Sequence, residues 1–443
     1  MIVGLALMLW RFEFAEESRS LRERFPEQRR KRWDKMTIEQ LSSRAAAYLR
    51  KLCVEIPTRQ VGSQGNHEAT TFFDAQMKAS GFQTETDVFD CMDWREYGVQ
   101  LSTVDTSFAA SASPYSLGCD VHTLLRVVTT VGELEAAELA GSVVLLRGEI
   151  ASQQLMPRNF PFYNPEEHQH ILRLLDTQSP LAIVAATGRD PQMAGSVYPF
   201  PLIEDGDFHI PSVFMTDEEG LRLAQYAGQK VHLESRAERI PSTGCNVVAR
   251  KGGQSDRKVV CFAHIDAKRG TPGAIDNASG IIVLLLLAEL LADYRGRLGV
   301  EMVALNGEDY YSSPGEQQYL ARNAGTFDQI MLGINIDGVG YHRGRIAYSL
   351  YGSPQDIAQL VAALFSDQQI FSAGDPWYQG DHMLFIMNQR PALALTSEQA
   401  TELLTEVIHT AADHPGIIDT HKLAAASLVL RDLLLRLNSG MTQ

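Results

Sequence analysis

The stretch Lys258–Tyr294, KVVCFAHIDAKRGTPGAIDNASGIIVLLLLAELLADY, decides how the rest of the chain is read. It opens on Val259-Val260-Cys261-Phe262-Ala263, a continuous apolar run rich in β-branched and aromatic residues. That length and composition suit a strand buried on both faces. The run ends in His264-Ile265-Asp266, and because side chains alternate along a strand, His264 and Asp266 share a face at its exit. A loop containing Gly and Pro follows, then Asp276-Asn277-Ala278-Ser279-Gly280, then a helix of nearly unbroken aliphatics. A helix apolar all round is a buried one. Ionisable groups held between two buried elements are costly without a partner, and a metal ion is the partner these residue types invite.

The same alternation continues on either side of this stretch after Pro241. Strands are expected at Asn246–Arg250, Val259–Ala263, Val300–Leu305, Ile330–Ile336 and Ala392–Leu395. Helices are expected at Ala278–Tyr294, Gly315–Asn323, Pro354–Phe365 with Ser353 as cap, and Leu423–Leu437. The pattern predicts an α/β fold with a mainly parallel central sheet and helices on both faces. Ligands of such sheets bind beyond the carboxyl ends of the strands. Those ends carry Asn306-Gly307-Glu308-Asp309, Asp337-Gly338, Gly380-Asp381-His382 and Ile408-His409-Thr410-Ala411-Ala412-Asp413. A single strand-end carboxylate reads most simply as a helix cap. His264, Asp276, Glu308, Asp309, Asp337 and His409 together do not, and imidazole with carboxylate is a ligand mix that zinc favours.

Upstream, Thr37-Ile38-Glu39-Gln40 has the spacing of a capping box, opening a helix to about Cys53 that Pro57 stops. A polar loop, Arg59–Asn66, leads to a helix over about His67–Ser80, with Gly81 as its left-handed cap, and a loosely alternating strand over Phe82–Phe89. From 109 to 238 the character changes to a small β-rich module. Short strand patterns fall at Ser142–Gly148, Leu181–Ala186, Ile210–Met215 and Lys230–Leu233, and helices start at Asn164-Pro165 and Asp217. Its histidines (His122, His168, His170, His209, His232) have no metal-cluster spacing and read as surface or core groups. His342, His414 and His421 read as surface groups. The organisation expected is an N-terminal extension at 1–36, a main domain built from 37–108 and 239–443, and an insert at 109–238.

The 443 residues are too many for one average core. Apolar content of 45% and charged content of 21% are those of a soluble globular protein. A net charge of −15 argues against a nucleic-acid partner, which needs a basic face. The five cysteines (Cys53, Cys91, Cys119, Cys245, Cys261) are odd in number and lack C-x-x-C spacing, so they form neither a disulfide framework nor a zinc knuckle. Met1–Trp10 is apolar but too short to span a bilayer, and it lacks the basic flank and cleavage site of a signal peptide. The expectation is no membrane span and a cytoplasmic location, with secretion as the alternative. Arg29–Arg32 reads as a solvated charge cluster. No motif speaks to oligomeric state.

Taken in order, A-H-I-D, G-A-I-D-N-A-S-G, N-G-E-D, N-I-D-G and I-H-T-A-A-D resemble the M28-type co-catalytic zinc aminopeptidase family. The resemblance covers roughly residues 37–100 and 240–425, and the intervening module resembles the protease-associated insert that many members carry. It implies a metallopeptidase that removes N-terminal residues from peptides with a free N-terminus, using two divalent metal ions, most simply Zn2+. By position it implies His264 and Asp337 on one ion, Asp309 and His409 on the other, and Asp276 bridging them. Glu308 becomes the general base, Asp266 the carboxylate hydrogen-bonded behind His264, and Asp413 a structural group. Asp381 and His382 match a segment that the family places beside the substrate. Trp377-Tyr378 reads either as lining that site or as a buried aromatic pair. One departure stands out: the family has two adjacent glutamates where this chain has Glu308-Asp309. The shorter aspartate implies weaker binding of the second ion, or a different one.

Three rivals share the fold. A glutaminyl-cyclase-like acyltransferase uses one zinc with the same ligand types. A carboxypeptidase needs an arginine cluster, for which Arg343, Arg345 and Arg390 are available. A receptor-like binding module is expected to have lost ligands, and this chain keeps every position.

Overall fold

The computed structural model describes residues 36–56 and 58–440. The run Met1–Trp10, the basic cluster Arg29–Arg32 and the helix stop at Pro57 lie outside the described residues. The strands in chain order are β1 Gln83–Ser102, β2 Ser107–Phe108, β3 Ser111–Ala112, β4 Cys119–Val128, β5 Val143–Leu146, β6 Ala182–Thr187, β7 Ser212–Thr216, β8 Lys230–Gly252, β9 Lys258–His264, β10 Gly299–Leu305, β11 Ile330–Ile336, β12 Ile346–Tyr351, β13 Phe371–Ala373 and β14 Ala392–Ser397. The α-helices are α1 Ile38–Arg50, α2 Gln64–Ala79, α3 Val131–Ala136, α4 Glu166–Gln178, α5 Asp217–Ala224, α6 Ser279–Leu290, α7 Pro314–Arg322, α8 Gln355–Ser366, α9 Met383–Ile386, α10 Ala400–Glu406 and α11 Thr420–Gly440.

The strands form one sheet in the order β13-β12-β14-β11-β9-β10-β8-β4-β5-β6-β7-β3. Strands β14, β11, β9 and β10 run parallel to one another, as expected for buried, near-continuous apolar strands. β8 closes this half in an antiparallel sense against β10. It also pairs with β1 from Gln83↔Arg250 to Ser102↔His232. At its other end β8 pairs antiparallel with β4, which starts a second parallel run, β4-β5-β6-β7. A single ribbon, β1 with β8, therefore joins the two halves of the sheet. The boundary expected at 238/239 falls inside β8.

β9 shows why its sequence needs cover on both faces. Val259, Cys261 and Ala263 join a core with the residues of α1, α2, α6 and α11. Val260 and Phe262 join a second core containing Tyr319 and Phe385. Phe262 and Phe385 stack with ring centroids 4.8 Å apart. α6 is buried all round except at Glu289, where Tyr48 and Arg44 meet the carboxylate. It also lies unusually close to the sheet: a Cβ at Gly280 would sit 2.1 Å from the carbonyl oxygen of Ile336. Separate cores, one around Leu146, Ile171 and Phe200 and one around Val143, Val184 and Leu233, fill the 109–238 segment.

The capping box at Thr37 and Gln40 is present, and Gly81 has the left-handed conformation expected of a cap. Other expectations need correction. The strand expected over Phe82–Phe89 runs on to Ser102, because β8 supplies a partner along its whole length. Asn164 does not cap α4. Pro165 holds that place with no side-chain cap, and the Asn164 amide donates back to the carbonyls of Pro157, Arg158 and Phe160. Ser353 does not cap α8 either; Pro354 stands at the cap position and Ser353 Oγ donates to Tyr351 O. In both places the proline is itself extended, with ψ 140° at Pro165 and 151° at Pro354, so the helix opens one position later than the polar residue suggests.

Candidate metal centre

The sequence candidates converge at one edge of the sheet, beyond the carboxyl ends of parallel strands. His264 is the last residue of β9. Glu308 and Asp309 follow β10, and Asp337 follows β11. Asp276 sits in the kinked turn before α6, with φ −122° and ψ 88°. His409 follows α10 with a left-handed φ of 64°, a conformation that costs a non-glycine residue energy and clusters at functional sites.

Asp276 lies between the two imidazoles. One carboxylate oxygen is 3.0 Å from His264 Nε2 and the other 3.2 Å from His409 Nε2. Asp337 Oδ1 is 3.9 Å from His264 Nε2, and Asp309 Oδ1 is 3.1 Å from His409 Nε2. His264, Asp276 and Asp337 form one group with donor atoms within 4.8 Å of one another, and Asp276, Asp309 and His409 form another. Glu308 falls in a third such group, with His264 and Asp309. Ligands about 2.0–2.1 Å from a tetrahedral zinc are about 3.3 Å apart, close to the 3.0–3.2 Å contacts that Asp276 and Asp309 make with the imidazoles, while Asp337 stands wider at 3.9 Å. His264 adds a second indication. It is 1% exposed, yet among the described residues neither ring nitrogen has a hydrogen-bond partner. A buried imidazole left this way is short of a cation. The donor set fits a pair of divalent ions sharing Asp276.

The electrostatics point the same way. Burial works against a charged His264, but Asp266 and Asp276, with Glu308 and Asp337 beyond them, hold its pKa well above the ordinary value. Burial likewise opposes a charged His409, and Asp309 and Asp276 outweigh it. Burial pushes Asp337 up to about 7, with Asp276 and Asp309 adding to it. Burial also lifts Glu308 well above the carboxylate range, reinforced by Asp309, Asp337 and Asp276 against the pull of His264. Asp276 goes the other way: burial resists its charge, but the two imidazoles hold it well below the carboxylate range. Asp337 and Glu308 thus hold protons more tightly than free carboxylates do, and a divalent cation would displace them.

The surroundings fix the backbone that carries these groups. Asp266 is fully buried but lies 3.7 Å from His264 Nδ1, too far for the hydrogen bond expected of it. Instead it accepts from the N–H groups of Gly307 at 2.8 Å and Asp309 at 3.0 Å, setting the loop that bears Glu308 and Asp309. Asp413 accepts from the N–H groups of Ile275 at 2.6 Å and Asp276 at 3.1 Å, and so braces the bridging position. Asn277 donates to Ile336 O at 2.9 Å and accepts from Gly280 N, tying the turn to β11.

A cavity of about 280 Å³ opens onto Asp309 and His409. Trp94, Tyr115 and Phe214 form part of its wall, with Lys268 and Glu204 nearer the metal-binding groups. The three substrate-side candidates do not line it. Tyr378 is 64% exposed and its ring packs on Tyr351, so Trp377-Tyr378 is not a buried aromatic pair. His382 is fully buried, with Nε2 on Trp377 O at 2.8 Å and Nδ1 beside the Asn335 amide at 3.4 Å. Asp381 is 4% exposed. The open space beside the centre is bounded by the 109–238 segment and the β1 ribbon. Nor do the arginines form a carboxylate clamp. Arg343 pairs with Glu402, Arg345 with Glu398, and Arg390 donates to Ile330 O at the far end of β11.

Sequence reasoning missed several residues. Arg59, 2% exposed, donates to Ile265 O, Leu52 O, Pro272 O and Gly273 O, and so anchors the loop between His264 and Asp276. Lys268 pairs through Nζ with Glu204 at 2.9 Å and donates its N–H to Asp309 Oδ2 at 3.2 Å. A lone basic residue in a polar loop was the only signal for either.

Residues 246–434 match the model of peptidase family M28. Among curated relatives, the chain is 27% identical over 198 residues to the uncharacterized protein YfbL of Escherichia coli K12, covering 35% of this chain and 61% of the relative. It is 24% identical over 286 residues to a probable leucine aminopeptidase 2 of Aspergillus oryzae, covering 63% of this chain and 54% of the relative. The chain thus spans somewhat over half the length of these relatives. Among solved structures, a zinc aminopeptidase of Bacillus subtilis superposes with a TM-score of 0.71 at 16% identity, covering 89% of this chain and 95% of that one. An aminopeptidase of Aneurinibacillus sp. strain AM-1 superposes with a TM-score of 0.68 at 20% identity, covering 90% and 96%. These superpositions establish a shared fold.

Proposed function

We propose that this chain, whose residues 246–434 belong to peptidase family M28, is a metal-dependent aminopeptidase that removes N-terminal residues from peptides. The observation that carries this reading is Asp276 held between His264 and His409, one oxygen toward each imidazole. His264 and Asp337 would hold one divalent ion, Asp309 and His409 the other, and Asp276 both. Zinc suits the donors. When bound, such a pair supplies Lewis-acid activation of water and stabilises the charge that develops on the scissile carbonyl.

The chain's own residues account for the proton. Glu308 stands beside His264 and Asp309 without being needed as a ligand, and its half-buried carboxyl has a raised proton affinity. It would accept a proton from the attacking water and hand it to the leaving amine. Asp266 keeps Glu308 in range by holding the N–H groups on either side of it. Arg343, Arg345 and Arg390, the arginines a carboxypeptidase reading would call on, are engaged elsewhere.

The test is metal analysis coupled to a panel of aminoacyl-nitroanilides and peptides, each offered with a free and an N-acetylated terminus. Metal-dependent cleavage of the free-amine forms alone is expected. Equal cleavage of the acetylated forms, or cleavage unaffected by chelation, would sink the reading.

A further inference from the structure

The two halves of the centre are not supported alike. Behind His264 lies Asp266, from the loop directly after the same strand. Behind His409 lies a residue of the 109–238 insert. His409 Nδ1 is 3.3 Å from Ala194 O. A carbonyl only accepts, so Nδ1 donates to it, and Nε2, which faces Asp276 and Asp309, is the nitrogen left for a metal ion. The insert loop is fastened in place: Ser196 N donates to Ile408 O at 3.2 Å, and Ser196 Oγ to Leu403 O and Leu404 O at 3.3 and 3.2 Å. Gly195 has a φ of +64°, a conformation that strains other residues, and a Cβ there would sit 3.0 Å from His409 Nδ1, so a side chain must push the imidazole aside. Asp309 is reached from the insert too. Glu204 takes the Lys268 ammonium at 2.9 Å and also accepts from Gln154, while the Lys268 N–H holds Asp309 Oδ2.

We infer that the insert completes one half of the centre: the Ala194 carbonyl and the Glu204 carboxylate are positioning groups for His409 and Asp309, and neither serves His264 or Asp337. This rests on the two-ion reading above. It goes further in making one ion's affinity depend on a segment outside the part that matches the family model. Removing a group that orients a metal ligand weakens binding about 10–100-fold, so the loss should fall on one equivalent of metal and spare the other.

The experiment strips the full-length protein of metal and titrates it with Zn2+ against a chromophoric chelator, with the melting temperature of the metal-free protein measured alongside. The wild type should take up two equivalents. G195A and E204Q should bind the first as the wild type does and the second at least about tenfold more weakly, and E204D should recover part of the loss. If both variants bind two equivalents with wild-type affinity, or lose both in parallel, the insert has no positioning role. A wild type that takes up fewer than two equivalents refutes the two-ion reading itself, and the inference with it.

Discussion

Asp309 ends one methylene short of a glutamate, yet it reaches within 3.1 Å of His409. The backbone makes up the difference. Asp266 draws in the Asp309 N–H, and the second Asp309 oxygen is taken by Lys268 N. The loop thus brings the shorter side chain into reach of His409. D309E should weaken the second equivalent of zinc several-fold, because the longer carboxylate must give up the Lys268 bond; tighter binding in a metal titration would refute this. E308Q should keep full metal content and lose about 10²–10⁴ in kcat, read from steady-state kinetics beside metal analysis. Most candidate ligands were legible because they end or follow a recognisable strand or precede a buried helix; His409, which follows α10, had only its own local motif to mark it. Arg59, Glu204 and Ala194 were not. The Lys268–Glu204 and His409–Ala194 contacts join residues 64 and 215 positions apart, and a backbone carbonyl leaves no trace in residue identity.

At the scale of elements, apolar content set what was readable. β9 and α6 stand out because nothing but a buried strand and a buried helix explains such runs. β1 and the middle of β8 are mostly half-buried or exposed, so their alternation is weak and their length comes from each other. Helix starts beside proline were displaced for the local reason already given. α6 also permits two stability tests. L284A removes a fully buried side chain and should cost about 2–5 kcal/mol, measured by denaturant unfolding of the metal-free protein. G280A forces a methyl against the Ile336 carbonyl and should cost about 1–3 kcal/mol or more. An unchanged unfolding midpoint in either would contradict the packing described.

For the whole molecule, the buried charges predict how stability follows pH. Burial raises Asp337 to about 7 and Glu316 to about 8, above an unfolded value of about 4. The fold therefore prefers these groups protonated, and their burial becomes destabilising as pH rises from about 4 to about 8. The raised values of His264 and His409 act in the same direction. Their contribution is complete below an unfolded pKa of about 6.5 and is lost as pH climbs through the folded values. The lowered Asp276 acts oppositely, but its contribution disappears only as pH falls below about 4. Metal-free protein should thus be less stable at pH 8 than at pH 5, and chelator should lower the melting temperature more at pH 8. Equal chelator effects at the two values would count against a shared, proton-displacing centre. Among the described residues no helix is long and apolar enough to cross a membrane.

The ribbon that unites the sheet limits what truncation can achieve. β1 has 20 residues and β8 has 23, and at about 3.3 Å per residue each makes a girder some 66 Å long or more. Its outer end is pinned by Val99↔Ser235 and Leu101↔Leu233, and those facing residues belong to the stretch that a cassette-style excision of 109–238 would remove. The severed arm would project a row of bare peptide groups, open to adhesion between copies. A slimmer version of this protein has to be built by trimming both rails together, back toward Gln83 and Arg250, before the span is closed.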